Sequence, residues 1–264
     1  MTLLSPTLLL FLVIDKRHEI QHGRQSLDTL SSQQIRRLTD AFHLLKRQGV
    51  YDNLTRIHGN ATLFPLVHRT PYFLPWHRWF VLEMEREIHK LGGVYRAVTI
   101  PYWDWLSSPS MPVVVVGGFG NGSDGCVDTG PFQNWTTTLG TCLTRRRDDS
   151  AHLWSEKSVC SLFPRRDFSL SLENGPHAEV HLFVGGNMAT MASPDDPLFW
   201  MHHAFVDLLW QLSNRTLENV SVIDTVMPGT PGVTPRHVLS REIPWILTRS
   251  FCGENFSVPW IKNK

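Results

Sequence analysis

Six histidines fall into two groups of three, and both groups lie in strongly apolar segments. The first group lies in IHGNATLFPLVHRTPYFLPWHRWF and comprises His58, His68 and His77. The second lies in GPHAEVHLF and DPLFWMHHAFVDLLW and comprises His177, His181 and His203. Because side chains four residues apart share one face of a helix, His177 and His181 can bind the same metal ion. Sets of three imidazoles suit copper or zinc, since magnesium and calcium prefer oxygen ligands.

The residues around the His177 and His181 pair disfavour a zinc peptidase. The HExxH motif of such enzymes places a glutamate directly after the first histidine, where it acts as the general base. Here Ala178 follows His177, and the acid Glu179 stands one position too late. The pair therefore indicates a metal site with a different chemistry.

Charge and composition exclude several function classes. The chain has 25 Lys and Arg against 24 Asp and Glu, a net charge of +1. This balance provides no strong field for binding nucleic acid or an anionic membrane surface. With 42% hydrophobic and 19% charged residues over 264 positions, the chain is expected to form one large domain. An oligomeric state is not indicated by the sequence.

The N-terminus, the cysteines and the glycosylation sequons indicate export. Residues 3–14, LLSPTLLLFLVI, are apolar but too few to span a bilayer, so 1–17 is predicted to be a signal peptide. The mature domain is then 18–264; a truncated gene model or a buried N-terminal segment is the alternative. The four cysteines, Cys126, Cys142, Cys160 and Cys252, are expected to form two disulfides, as is typical of a secreted or lumenal protein. The sequence does not indicate which cysteines pair. Sequons begin at Asn53, Asn60, Asn121, Asn134, Asn214, Asn219 and Asn255.

Hydrophobic periodicity predicts a mainly α-helical chain. Predicted helices cover 30–48, 51–58, 76–91, 174–183 and 197–212, the last with Asp195 or Asp196 as its cap. The segment 109–140 is rich in Gly, Pro, Asn and Ser, which predicts a surface loop. The spacing of prolines after Met227 predicts loops and short strands.

Four segments resemble the common central domain of the tyrosinase, catechol oxidase and molluscan-type haemocyanin family. They are YD-x5-H ending at His58, HRTPYFLPWHRWFVLEMEREI, PYWDW at 101–105 and SPDDPLFWMHHAFVD at 193–207. The resemblance covers about 28–212. It implies a mainly α-helical fold whose four-helix core holds a dinuclear copper site, with long loops and a few short strands.

The resemblance also implies which residues bind metal. By motif position, copper A takes His58, His68 and His77, and copper B takes His177, His181 and His203. His202 would then face away from the site as a packing residue. Asp207 and Glu85 are expected to orient ligand rings, with a salt bridge to Arg78 or another base as the alternative. Because a ligand imidazole must be neutral, metal binding is expected to weaken below the pKa of free imidazole, about 6.5.

Several positions depart from the family pattern or match it only loosely. In many members that hydroxylate monophenols, an Asn after the first copper B histidine and an upstream Glu hold a water that deprotonates the phenol. Those positions correspond here to Ala178 and Glu173, and Glu173 lies closer to the histidine than is usual. Leu66 replaces a Cys that often binds a copper A histidine, so that thioether cannot form. Met191 matches a side chain that gates copper A and Leu182 a substrate contact, with ordinary packing as the alternative for both.

The resemblance therefore implies a secreted oxidase with two copper ions that uses dioxygen to oxidise o-diphenols to o-quinones. Oxidation of monophenols in addition is the open alternative. Glu173 is the candidate catalytic residue. The first alternative is a haemocyanin-like dioxygen carrier with the same copper site. The second is a zinc-binding tyrosinase-related protein without oxidase activity, because zinc also accepts imidazole ligands.

Overall fold

The structure, a computed structural model, describes residues 23–213, 222–253 and the backbone of 261–263. The predicted signal peptide, 1–17, lies outside the described residues. So do the sequon asparagines Asn214, Asn219 and Asn255.

Helices dominate the described residues, which confirms the predicted mainly α-helical fold. In chain order the α-helices are α1 (Ser32–Arg47), α2 (Val50–His58), α3 (Phe64–Val67), α4 (Phe73–Lys90), α5 (Val113–Val116), α6 (Glu156–Cys160), α7 (Phe168–Leu172), α8 (Ala178–Val184), α9 (Leu198–Leu212) and α10 (Pro235–Leu239). Short 3₁₀ turns lie at Leu27–Thr29, Gly93–Ala97, Gly186–Ala189 and Ser193–Asp195. No described helix combines the length and apolar character needed to cross a membrane.

Local sequence signals set the ends of α1, the helix predicted over 30–48. Ser31 and Gln34 form a reciprocal capping box, in which each side chain accepts a hydrogen bond from the other residue's backbone amide. Gly49 follows the helix with a φ of 72°, a left-handed conformation that glycine adopts without steric cost. Between these ends, the apolar side chains Phe42 and Leu45 are buried in the core.

The helices α4 and α9 pack together at the centre of the molecule. Every residue of α9 except Gln211 is buried, which explains its nearly continuous apolar sequence. Pro197 occupies the N-cap position of α9 and provides no side-chain cap, so the predicted aspartate cap was wrong by one residue. The Asp196 carboxylate, directly before it, accepts a hydrogen bond from the Leu198 amide at 2.9 Å. The Asp195 carboxylate instead accepts hydrogen bonds from the amide and hydroxyl of Thr138.

The segment predicted as one helix over 174–183 is divided in two. Residues Glu173–His177 form a π-turn, and the α-helix α8 begins only at Ala178. Pro176 has no amide hydrogen to donate, and Gly175 has non-helical φ and ψ angles of −103° and −108°. The prediction of a regular helix through both histidines was therefore wrong in its first turn.

A small parallel sheet joins the two ends of the described chain. Its strands are β1 (Arg24–Gln25), β2 (Trp245–Leu247) and β3 (Ile261–Asn263), in that spatial order. The register pairs Arg24 with Trp245 and Trp245 with Ile261. The prediction of a few short strands is confirmed.

Two disulfides stabilise the long irregular segments, and all four cysteines are oxidised as expected. Cys126 pairs with Cys142 within the glycine-rich excursion, and Cys160 pairs with Cys252, which ties α6 to the chain near the sheet. The segment 109–140 is irregular as predicted, apart from α5 and isolated bridges. The prediction of a surface loop was wrong for part of it, because the apolar side chains of Val116, Phe132 and Trp135 are buried in the core.

Candidate metal centre

The fold brings all six predicted ligands together from separate elements. His58 ends α2, His68 follows α3, His77 lies in the second turn of α4, and His203 lies in the second turn of α9. His177 ends the π-turn, and His181 lies within α8. The nitrogens of His58, His68 and His77 lie within 4.8 Å of one another and could hold a metal ion, as could those of the second group.

Backbone carbonyls orient five of these six rings. Hydrogen bonds run from Nδ1–H of His58 to Met191 O (2.8 Å), of His68 to Phe64 O (3.2 Å), of His77 to Phe73 O (2.8 Å), of His177 to Glu173 O (3.0 Å) and of His181 to Met188 O (2.7 Å). Because a carbonyl oxygen only accepts, each Nδ1 carries the proton and each Nε2 keeps its lone pair. This is the tautomer that metal binding through Nε2 requires.

Several buried ring nitrogens have no hydrogen-bond partner among the described residues. They include Nε2 of His77, Nε2 of His177 and both nitrogens of His203. An unpaired buried polar atom normally costs about 1–3 kcal/mol, so native proteins rarely retain a cluster of them without a partner. A bound metal ion would satisfy these nitrogens, and the residues present therefore fit a metal site.

The first triad is His58, His68 and His77, and the second is His177, His181 and His203. The two triads meet at the rings of His77 and His203, which stack with 4.3 Å between centroids. Phenylalanines fill the space around this contact. The Phe199 ring lies 4.2 Å from His203, and the Phe73 ring lies 4.7 Å from His77 and 4.9 Å from His177. The triads therefore form one site with an apolar wall.

His202 belongs to the second group, so the expectation that it faces away from the site was wrong. Its ring centroid lies 5.2 Å from that of His177 and 5.0 Å from that of His181, and its nitrogens join theirs within 4.8 Å. Adjacent side chains on a helix point about 100° apart. The two rings of the π-turn and α8 therefore contact both His202 and His203.

Burial depresses the basicity of the whole cluster. Loss of water contact lowers the pKa of His58 to about 3 and the pKa of His68 and His181 to about 4, with neighbouring imidazolium charges adding to the shift at His58 and His68. The pKa values of His77 and His203 are lowered well below their usual range for the same reasons. These lowered pKa values move the expected weakening of metal binding from about pH 6.5 to lower pH, because the buried imidazoles stay neutral there.

Glu85 and Asp207 do not orient the ligand rings, which corrects that prediction in favour of its salt-bridge alternative. Asp207 accepts hydrogen bonds from Arg78 (2.6 Å) and Arg24 (2.9 Å). Glu85 binds the other side of the Arg24 guanidinium at 2.9 and 2.8 Å. Two buried cations and two buried anions thus balance one another, and Asp207 and Arg78 join α9 to α4 below the histidines.

A cleft of about 690 Å³ opens onto both triads. Every other predicted site residue lies along it: Glu173, Ala178, Leu182 and Met191. Leu182 is 47% exposed and Met191 is 36% exposed, so neither side chain packs in the core. Their roles as gate and substrate contact stay predictions. Leu66, at the position of the family cysteine, is exposed.

Glu173 connects the two halves of the site. Its carboxylate accepts hydrogen bonds at 2.9 and 2.8 Å from the backbone amide of Arg69, directly after His68, while its carbonyl oxygen accepts from His177. Burial raises the pKa of this carboxyl to about 7, against the opposing effects of the Arg69 amide and charge.

Sequence reasoning missed some residues of this site. The carbonyl groups of Met188 and Met191 orient His181 and His58, but a carbonyl belongs to every residue and leaves no sequence signal. Arg69 and Asn174 also line the cleft. Their positions beside His68 and Glu173 in the sequence were the only available indication.

Comparisons with known proteins agree with this geometry. The family model described as the common central domain of tyrosinase matches residues 48–215. Tyrosinase of Streptomyces glaucescens is 32% identical over 259 residues, covering 84% of this chain and 92% of that protein. The putative tyrosinase-like protein tyr-3 of Caenorhabditis elegans is 31% identical over 230 residues, which cover 78% of this chain. The matched region is only 33% of the length of tyr-3, so the chain spans about a third of that protein.

Solved structures show the same fold. A polyphenol oxidase from Thermothelomyces thermophila superposes with a TM-score of 0.60 at 23% identity, over 73% of this chain and 70% of that one. A functional unit of octopus hemocyanin gives a TM-score of 0.58 at 23% identity, over 73% of this chain and 53% of that one. Because the family model matches more than half of the chain, and the Streptomyces protein is matched over nearly its whole length, this chain belongs to the tyrosinase family.

Proposed function

We propose that this chain is a dinuclear copper oxidase that uses dioxygen to oxidise o-diphenols to o-quinones. The observation that carries the proposal is the contact between the two triads at His77 and His203, below a cleft open to small molecules. Because the two triads are in contact, they can together form a single site for two metal ions. The Streptomyces relatives are named tyrosinases, which supports the same reaction class.

The donor set favours copper. The two groups offer imidazoles alone, and the four cysteines are held in disulfides. Carboxylate ligands would disfavour Cu(I), and thiolates would themselves be oxidised, so neutral imidazoles are the ligands that tolerate redox cycling. When bound by His58, His68 and His77 and by His177, His181 and His203, copper would supply the electron transfer between a diphenol and dioxygen.

The remaining residues of the cleft position the substrate. Leu182 and Met191 present apolar surface on which an aromatic ring can lie, and the buried phenylalanines keep water from the histidines. Glu173 is the carboxylate of the cleft and is proposed to accept a phenolic proton. In the balanced reaction two diphenol molecules together lose four electrons and four hydroxyl protons, and one dioxygen molecule takes them up and leaves as two water molecules.

We also propose that residues 18–264 form one secreted domain. The described sequon asparagines, Asn53, Asn60, Asn121 and Asn134, are all exposed, as glycosylation requires. The two disulfides agree with an oxidising compartment. A mass decrease on treatment with an N-glycosidase tests this proposal, and an unchanged mass together with a cytosolic location would contradict it.

The test of the oxidase proposal is metal content together with turnover. Protein loaded with copper should bind two ions per chain, consume dioxygen and form quinone from methylcatechol. His77→Ala and His203→Ala should lose this activity, whereas the matched control His152→Ala, at an exposed histidine outside the cleft, should retain it. Reversible dioxygen binding without quinone formation would support the carrier instead. Retention of zinc, with no activity after loading with copper, would support the zinc-binding alternative.

A further inference from the structure

The cleft contains one residue that presents a positive charge to a bound ligand. Among the described residues that line it, Arg69 is the one Lys or Arg and Glu173 is the one Asp or Glu. Arg69 is exposed, whereas Glu173 is only 5% exposed and its carboxylate faces the Arg69 backbone amide. The charge that an entering molecule meets is therefore that of Arg69.

The backbone of Arg69 is held in an unusual conformation. Its φ is 59°, in the left-handed region that non-glycine residues rarely adopt and that costs on the order of 1 kcal/mol or more. The two hydrogen bonds from its amide to Glu173 hold it there. The direction in which the side chain leaves the backbone is thus fixed beside the cleft.

The guanidinium of Arg69 is also unpaired. Within the part of the chain that the structure describes, no carboxylate lies within ion-pair distance of it. Other exposed arginines do have such partners, for example Arg165 with Asp167 and Arg236 with Asp224. An unpaired guanidinium is a fork of N–H donors that matches the two oxygens of a carboxylate.

We infer that Arg69 selects phenolic substrates that carry a carboxylate on the side chain of the ring. The inference rests on the proposed oxidase function and names its substrate class. The aromatic ring would lie between the apolar side chains of Leu182 and Met191, with its hydroxyls toward the histidines and its carboxylate toward the guanidinium. Glu173 is buried and faces the Arg69 amide, so it does not occupy the guanidinium.

Three catechols whose ring substituents differ in charge test this inference. They are dihydrocaffeate, which is anionic, methylcatechol, which is neutral, and dopamine, which is cationic at neutral pH. We expect kcat/KM to decrease in that order. The preference for dihydrocaffeate over methylcatechol should be about five-fold, the size of one solvent-exposed ion pair, and it should diminish as salt is added.

Charge variants separate Arg69 from the general charge of the protein. Arg69→Gln should reduce the ratio of kcat/KM for dihydrocaffeate over methylcatechol to about one, while Arg69→Lys should keep most of it. In Arg69→Gln the backbone amide of residue 69 is unchanged, so its hydrogen bonds to the Glu173 carboxylate and the left-handed backbone conformation are expected to be preserved. The matched control is Arg47→Gln, which removes an equal charge from an exposed, unpaired arginine outside the cleft and should leave the ratio unchanged.

The outcomes are distinguishable. Oxidation of all three catechols with equal kcat/KM, or an equal ratio in the wild type and Arg69→Gln, overturns the inference and leaves the oxidase proposal intact. An equal decrease in Arg47→Gln would assign the preference to net charge and also overturns it. Failure to oxidise methylcatechol after copper loading overturns the oxidase proposal and the inference together.

Discussion

The imidazole rings of His77 and His203 lie nearly parallel, 10° apart in orientation and 4.3 Å apart between centroids. The two residues belong to different triads and to different helices, α4 and α9. The buried Arg78 and Asp207 join the same two helices at 2.6 Å. The spacing between the triads is therefore set by the packing of α4 against α9. Variants of the histidines test the metal site, and variants of the Arg78 and Asp207 pair test the helix packing.

Metal binding should stabilise the folded protein. The buried ring nitrogens that have no hydrogen-bond partner would bind the metal ion when it is present. The unfolded chain has no preformed site, so metal binding favours the folded state. At a free copper concentration of 1,000 times Kd, the stabilisation should be about 4 kcal/mol for each ion. Thermal unfolding with and without a chelator measures it. A chelator that leaves Tm unchanged for the wild type, as it should for His77→Ala combined with His203→Ala, would contradict the assignment.

The metal-free protein should lose stability as pH falls from about 6.5 to about 4. The folded pKa values of His58 and His181 lie near 3 and 4, and those of His77 and His203 are lowered well below their usual range, so in this window the unfolded chain binds more protons than the folded chain. Each fully buried imidazole contributes a slope of at most about 1.4 kcal/mol per pH unit. Glu173 contributes an opposite slope between its ordinary pKa and about 7, but it is one group against several. Urea unfolding at a series of pH values checks the sign, and a flat profile would contradict it.

Ala178→Asn should increase monophenol hydroxylation. Phenol has a pKa near 10, so its hydroxylation near neutral pH depends on a positioned base, whereas a catechol already has both hydroxyls. Ala178 lines the cleft without a polar side-chain atom, close to Glu173. The variant is expected to raise the rate on tyrosine about 100-fold, the low end of general-base effects, with little change on dopa. Comparable wild-type rates on both substrates would contradict this, and Asn174 would then be the first residue to test.

Asp207→Asn should destabilise the fold. The substitution leaves Arg78 and Arg24 with less compensating charge in the core, and breaking a buried pair typically costs about 3–5 kcal/mol. Asp224→Asn is the matched control, because it breaks an exposed pair with Arg236 and should leave the midpoint of urea unfolding unchanged. Equal midpoints for the two variants would show that the buried network contributes nothing measurable.

Local signals in the sequence account for the helices and the six histidines. The capping box at Ser31 and the apolar period of α1 are both short-range, so they could be read directly. The histidine groups could be assigned because the family motifs fix their spacing. The π-turn was less accessible, although the Asn-Gly-Pro sequence at 174–176 contained the residues that interrupt the helix.

Long-range partners could not be predicted. The carboxylate of Asp207 is one turn from His203, so a role in orienting the ring was reasonable, but the competing partners Arg24 and Arg78 come from distant parts of the chain. The depressed pKa values depend on burial, which no single residue encodes. The pairing of the two-residue strand β1 with β2 likewise depends on the complete fold.

The disulfide between Cys160 and Cys252 closes a covalent ring around the second half of the molecule. The ring spans a sequence separation of 92 and contains His177, His181 and His203. A protease that cuts the backbone once within it therefore leaves the pieces linked, and they separate on a gel only after a reductant is added. The three histidines of the second group would then remain on one connected molecule, and only a backbone cut combined with reduction of this disulfide would separate them.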